Sequence, residues 1–170
     1  MNATPAPDAA FGGSPVGGPK VIRSIGACFG WLLLSFGLWG FAWMYNTLTE
    51  IGRATGKDTQ AGLRTVLYII PIVNIFVLYM TWKDISEFAE ASGEEGFSPI
   101  LYIILSFIPI VNIFIFISVQ NKLNATWMRA SNGTAQKADL ETLDKVLIGI
   151  GAIFWVFYIG IIVLAGALSS

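Results

Sequence analysis

The sequence predicts an all-α integral membrane protein, built from three tandem helix–turn–helix repeat units and one closing transmembrane helix. Three observations predict it. The hexapeptide Pro71-Ile-Val-Asn-Ile-Phe76 returns unchanged as Pro109-Ile-Val-Asn-Ile-Phe114, 38 residues further on, and a fixed internal period marks one supersecondary unit used more than once. Four stretches (24–49, 65–82, 96–121 and 146–170) carry no charged side chain, and each reaches the ~18 residues of a transmembrane candidate. Hydrophobic residues make up 55% of the 170 and charged residues 12%, about half the charged fraction usual in soluble domains. Mean hydropathy is +0.68. A chain of this size has too little polar surface to wrap four such segments in water.

Residues 1–19 are rich in Ala, Pro and Gly, a composition without enough apolar surface to order itself, so they are expected to be a disordered tail. Lys20 and Arg23 then mark a membrane edge. Repeat unit one covers residues 20–60, unit two 61–97 and unit three 98–137, with the closing helix in 138–170. Each unit has an apolar half, a helix-breaking turn, a second apolar half ending in aromatics, and a polar tail. In units two and three the turn is Pro71-Ile-Val-Asn74 and Pro109-Ile-Val-Asn112. Proline ends the preceding helix, because it lacks an amide donor and clashes with the turn before it. Asn74 and Asn112 are expected to cap the next helix. Unit one diverges, with Gly37 and Gly40 supplying the turn through backbone freedom. All three units finish in a small or polar residue followed by glycine: Gly56, Gly93 and Gly133.

The polar tails have two faces. Trp82, Ile85, Phe88, Ala89 and Ser92 share one, and Lys83, Asp84, Glu87 and Glu90 share the other. Leu48, Ile51 and Thr55 in unit one, and Val119, Leu123, Trp127 and Ala130 in unit three, repeat the apolar side. This is the pattern of helices leaving the bilayer and lying along its surface. Trp43, Tyr45, Tyr79 and Trp82 stand at the depth of an aromatic belt. The last segment opens on Asp139, Glu141 and Asp144, acidic residues suited to a helix N-terminus.

Two topologies compete. If each apolar stretch crosses once, Lys20, Arg23 and Lys83 lie on one side and the other seven cations on the opposite side, which the positive-inside rule would place in the cytoplasm. If each unit dips in and returns, all ten cations share one face, and copies of one sequence keep one orientation. A nine-residue half-helix spans ~14 Å, about half of the ~30 Å hydrocarbon core. The re-entrant hairpins are favoured, on condition that each turn satisfies its own polar groups.

The segment Ser35-Phe-Gly-Leu-Trp-Gly-Phe-Ala-Trp43, followed by Tyr45-Asn-Thr-Leu-Thr-Glu-Ile51, resembles the bacterial membrane family called domain of unknown function 4234. It departs from that family's pattern at Ser35, Trp39 and Ala42. The resemblance covers roughly residues 24–130. It implies a membrane hairpin in a prokaryotic cytoplasmic membrane and no catalytic residues; the multi-pass chain is expected to keep its polar loops and N-terminus on the cytoplasmic side.

The chain has no histidine, which removes His-ligated haem, the usual zinc sites and His-based triads. One cysteine, Cys28, makes neither a disulfide nor a thiolate cluster. No phosphate-binding glycine loop follows a strand. Asp84, Glu87, Glu90, Glu94 and Glu95 fit no calcium-loop spacing and read as a solvated helix face. Gly26 and Gly30 form a small-xxx-small pattern suited to close helix packing. Asn74 and Asn112 would be polar groups at membrane depth, either structural or lining a solute path. The net charge of −1 gives no basic field for nucleic acid. No enzyme, cofactor or metal is expected. The partners expected are the lipid bilayer and a membrane protein or a second copy of the chain. The reading is a scaffold or accessory subunit of a membrane complex. A small-solute pore or transporter subunit is one alternative, and a membrane-surface organiser built on amphipathic helices is another.

Overall fold

A computed structural model describes residues 19–168, so the disorder expected for residues 1–18 lies outside the described residues. The described chain is mostly helical. Its elements, in order, are β1 (Lys20–Ile22), α1 (Ile25–Leu34), α2 (Trp39–Thr55), α3 (Ala61–Leu67), α4 (Pro71–Ala91), α5 (Pro99–Ser106), α6 (Pro109–Ala130), β2 (Gln136–Lys137) and α7 (Thr142–Leu168). Among the described residues, the one departure from an all-α chain is the short parallel β1–β2 pair. There Gln136 N donates to Pro19 O at 2.8 Å and Ala138 N to Ile22 O at 2.8 Å.

The chain divides into two compact units. One joins the described part of residues 1–25 to Met44–Asp139, and the other joins Gly26–Trp43 to residues 140–168. The sequence repeats do not follow this division, because the apolar part of the first repeat goes with the closing helix.

In the larger unit, α3 packs on α4, α5 on both α4 and α6, α4 on α6, and β1 on α6. The helix before each proline stops as expected, α3 at Leu67 and α5 at Ser106, and the proline opens the next one. Pro71 and Pro109 occupy the first helical position, with Ile70 and Ile108 as the capping residues. The missing amide is one that a helix start leaves unbonded in any case, and the fixed φ suits the first turn. The expectation that Asn74 and Asn112 cap these helices is therefore corrected. Both sit one turn inside, their amides donating to Ile70 O at 2.7 Å and Ile108 O at 2.9 Å.

α4 runs unbroken for 21 residues and α6 for 22, so apolar half and polar tail form one rod in each. The apolar faces of the tails are instead buried against protein: Leu48 and Ile51 from α2, Val77, Trp82, Ile85, Phe88 and Ala89 from α4, and Ile115, Val119, Leu123 and Trp127 from α6. Burial in α4 recurs in α6 at the 38-residue offset, pairing Val77 with Ile115, Thr81 with Val119, Trp82 with Gln120, Ile85 with Leu123 and Ala89 with Trp127. The rings of Phe88 and Trp127 meet with centroids 4.6 Å apart. Two long helices end as the sequence predicts. Gly93 and Gly133 take positive φ, 81° and 82°, letting Glu94 N reach Ala89 O at 2.9 Å and Gly133 N reach Met128 O at 2.7 Å.

In the smaller unit, α1 closes on residues Phe36 and Gly37, with φ of 52° and 83°. Gly37 N donates to Leu32 O at 2.7 Å. α7 passes so close that a Cβ on Gly151 would stand 2.1 Å from the Ser35 Cα. Trp155 Nε1 donates to Leu33 O at 3.0 Å, a second bond to a carbonyl that also accepts from Phe36 N at 3.2 Å. The ring of Phe36 lies 4.4 Å from that of Trp155. Asp144 is buried at the head of α7, where its carboxylate accepts from Trp39 Nε1 at 2.7 Å and from Glu141 N at 2.8 Å, one half of a capping box. α7 is long and apolar enough to cross a membrane, and by that test of length and composition it is the one such helix among the described residues.

Candidate functional site: the polar end of the hairpins

Within the larger unit, the helices reverse at apolar turns and are tied together by charge at the other end. Arg23 and Glu50, 27 residues apart, form a two-pronged pair at 2.9 and 2.5 Å with both side chains nearly buried. Lys57 and Asp84 are also 27 residues apart and are paired. The two pairs bracket Gly37 and Pro71, which the sequence singles out as equivalent turn positions. Glu94 and Arg129 flank the third turn at 2.5 Å, with base and acid exchanged in chain order. Arg129 also donates to Gly93 O at 2.8 Å.

Asp84 is the centre of the largest cluster. Its carboxylate is almost wholly buried; one oxygen accepts from Lys57 and the other from Arg64 at 2.5 Å. Lys57 reaches Glu87 as well, at 2.9 Å. The hydrogen bond that it donates to Asp84, then that to Glu87, holds the Lys57 ammonium above the ordinary lysine value. Asp84 is thus not on the solvated face read from the sequence. The helical pattern places it beside Glu87, but α3 lays Arg64 over it, and long-range pairing of that kind has no local signature. Arg64 Nε and, in α2, Thr47 Oγ1 are buried without a hydrogen-bond partner.

A neutral network lies beside it. The Asn124 side chain accepts from Arg23 N at 3.1 Å and donates to Arg23 O at 2.8 Å, and Gln120 Nε2 donates to Asn124 Oδ1 at 3.0 Å. Ser86 Oγ exchanges bonds with both Phe97 O and Phe97 N at 2.9 Å, which fixes the return from α4 into α5. These contacts hold the polar ends of α2, α4 and α6 together. Ser86 Oγ also donates to Glu90 Oε1 at 3.3 Å, so the hydroxyl is engaged by the return loop and by its own helix. Among the described residues, no three His, Cys, Asp or Glu side chains gather as metal ligands.

The turns stand at the apolar end. Ile69 and Ile70 amides donate to Val66 O and Leu67 O at 3.2 and 3.0 Å, and Phe107 and Ile108 amides to Ile104 O and Leu105 O at 3.4 and 3.1 Å. Each turn therefore closes its own preceding amides, and the proline that follows has none. Asn74 hydrogen-bonds the Tyr68 phenol across the turn. Asn112 is exposed, and Ser106, its counterpart to Tyr68, donates instead to Tyr102 O at 2.7 Å. The two asparagines therefore have unlike surroundings. Around Gly30 no other part of the described chain comes within 4 Å of where a Cβ would stand. Gly40, in the first turn of α2, faces Leu32 at 3.5 Å.

In comparisons with known proteins, no family, no curated sequence and no solved structure matches this chain.

Proposed function

We propose that this protein is a non-enzymatic, multi-pass membrane scaffold or accessory subunit. Its three repeats are re-entrant hairpins whose turns lie in the bilayer, α7 crosses it, and the polar ends form a platform on one face. The resemblance of residues 24–130 to domain of unknown function 4234 fits this location in a cytoplasmic membrane. One observation carries the reading. Ion pairs tie residues 23 to 50, 57 to 84 and 94 to 129, while Ile72, Phe76, Ile110 and Phe114 beside the turns are 65–75% exposed. Apolar surface in such quantity around a helix tip is stable when lipid covers it, and the ion pairs mark the other end as the polar one. The amphipathic faces are consumed in packing against one another, which disfavours the surface-organiser alternative. The unlike surroundings of Asn74 and Asn112 disfavour the pore.

Two measurements test it. With Cys28 replaced by alanine, single cysteines at Lys57 and Glu94 should label from the same side of the membrane. Purification in mild detergent should yield a stoichiometric partner or a homo-oligomer. A strictly monomeric particle would refute the scaffold role.

A further inference from the structure

We infer that the paired hairpins α3–α4 and α5–α6 act as a wedge in a single leaflet, giving the protein a preference for membrane that is convex on the side of the polar platform. The inference rests on the bilayer reading above and extends it to an action on lipid. The short arms decide the depth. α3 has seven residues and α5 eight, which span ~10–12 Å, against a hydrocarbon core of ~30 Å. Neither arm reaches the far leaflet. The long arms agree, since from Pro71 to the buried Thr81, and from Pro109 to the buried Val119, each rises ~15 Å. Beyond those points both rods enter the packed core, and α4 carries Lys83, Asp84, Glu87 and Glu90. The Tyr102 hydroxyl and Ser118 Oγ, 3.2 Å apart, lock α5 against α6 partway up the hairpin. The reversal is therefore a fixed part of the fold.

The occupant of the exposed tips is lipid of one leaflet. Ile72, Phe76, Phe107, Ile110 and Phe114 are each at least 65% exposed, and the turn amides that precede each proline need no water. Four helical segments ~10–12 Å across add roughly 300–450 Å² to that leaflet and nothing to the other. Area added to one leaflet alone is relieved when that leaflet forms the convex surface.

The test uses the full chain in giant phosphatidylcholine–phosphatidylglycerol vesicles from which membrane tubes are pulled. Glu95→Cys in the Cys28→Ala background carries a fluorophore, and an impermeant quencher reports which way the platform faces. Molecules with the platform outward should be enriched in the tube, with a tube-to-vesicle concentration ratio above unity. Inward-facing molecules should be depleted, with a ratio below unity. A ratio of unity in both orientations overturns the wedge while leaving the embedded hairpins standing. Cysteines at Ile70 and Phe107 supply the second readout. Labelling of either by an impermeant reagent from the face opposite Glu95 overturns wedge and hairpins together. Protection from both faces, with the tube enrichment, supports both.

Discussion

Hairpins α3–α4 and α5–α6 share one turn sequence and, along their long arms, one pattern of burial, yet they close their arms by different chemistry. At matching positions 38 residues apart, Arg64 is replaced by Tyr102 and Asp84 by Lys122. The first hairpin is held by the buried Arg64–Asp84 pair, the second by the Tyr102–Ser118 hydrogen bond and by Glu94–Arg129 at its base. At the turn there is one economical solution, a proline that needs no donor followed by branched apolar residues. At the polar end any complementary pairing serves, so the two copies diverge there.

The comparison is broken most severely by changes at the packed end. Trp127 is 2% exposed and Phe114 is 65% exposed. Trp127→Ala should cost ~3–5 kcal/mol, as emptying a core site does, while Phe114→Ala should stay within ~0.5 kcal/mol. Thermal unfolding in one detergent measures both, and equal losses would erase the distinction between tip and platform. Next is Asp84→Ala, which strands Arg64 and should cost about 3 kcal/mol. The matching change in the other hairpin, Lys122→Ala, should cost under ~1 kcal/mol. The double variant Arg64→Met with Asp84→Leu should recover part of the loss, and a double-mutant cycle would show the coupling.

Smaller effects sharpen the picture. Ser118→Ala removes the partner of Tyr102 and should cost ~0.5–1.5 kcal/mol, with no counterpart at Met80, the matching residue of α4. The smallest effect is on pH dependence. Folding raises the Lys57 pKa, so its contribution is fully present below the ordinary lysine range and fades as pH climbs through the raised value. Stability should therefore be flat across neutral pH as far as this group is concerned, with an alkaline decline that Lys57→Met removes. Because Lys57 is 45% exposed, solvent screening keeps that decline shallow.

Much of the helical architecture was legible in local sequence. The two prolines, the glycines at positions 93 and 133, and the spacing of Trp82, Ile85, Phe88 and Ala89 each act within a turn or two of themselves. The capping role given to Asn74 and Asn112 misread the same motif, since proline at a helix start and asparagine at a helix start compete for one place. Asp84 was the larger miss. A carboxylate at that helical phase looks solvated until another helix brings a cation over it. Arg64 is 20 residues away, with no periodicity linking the two.

What the sequence by itself determined is the set of rods and breaks: which residues coil, where each helix starts, and that long uncharged surfaces had to be covered by something other than water. Those are decided by neighbours along the chain, through steric restriction at proline and glycine and through the alternation of apolar and polar side chains. Only the tertiary structure decided that the polar tails pack on one another, that Asp84 lies beneath Arg64 and Lys57, and that Gly151 meets Ser35. Such choices depend on residues distant in sequence arriving at one place, where the gain from shared burial and paired charge exceeds what any segment obtains alone.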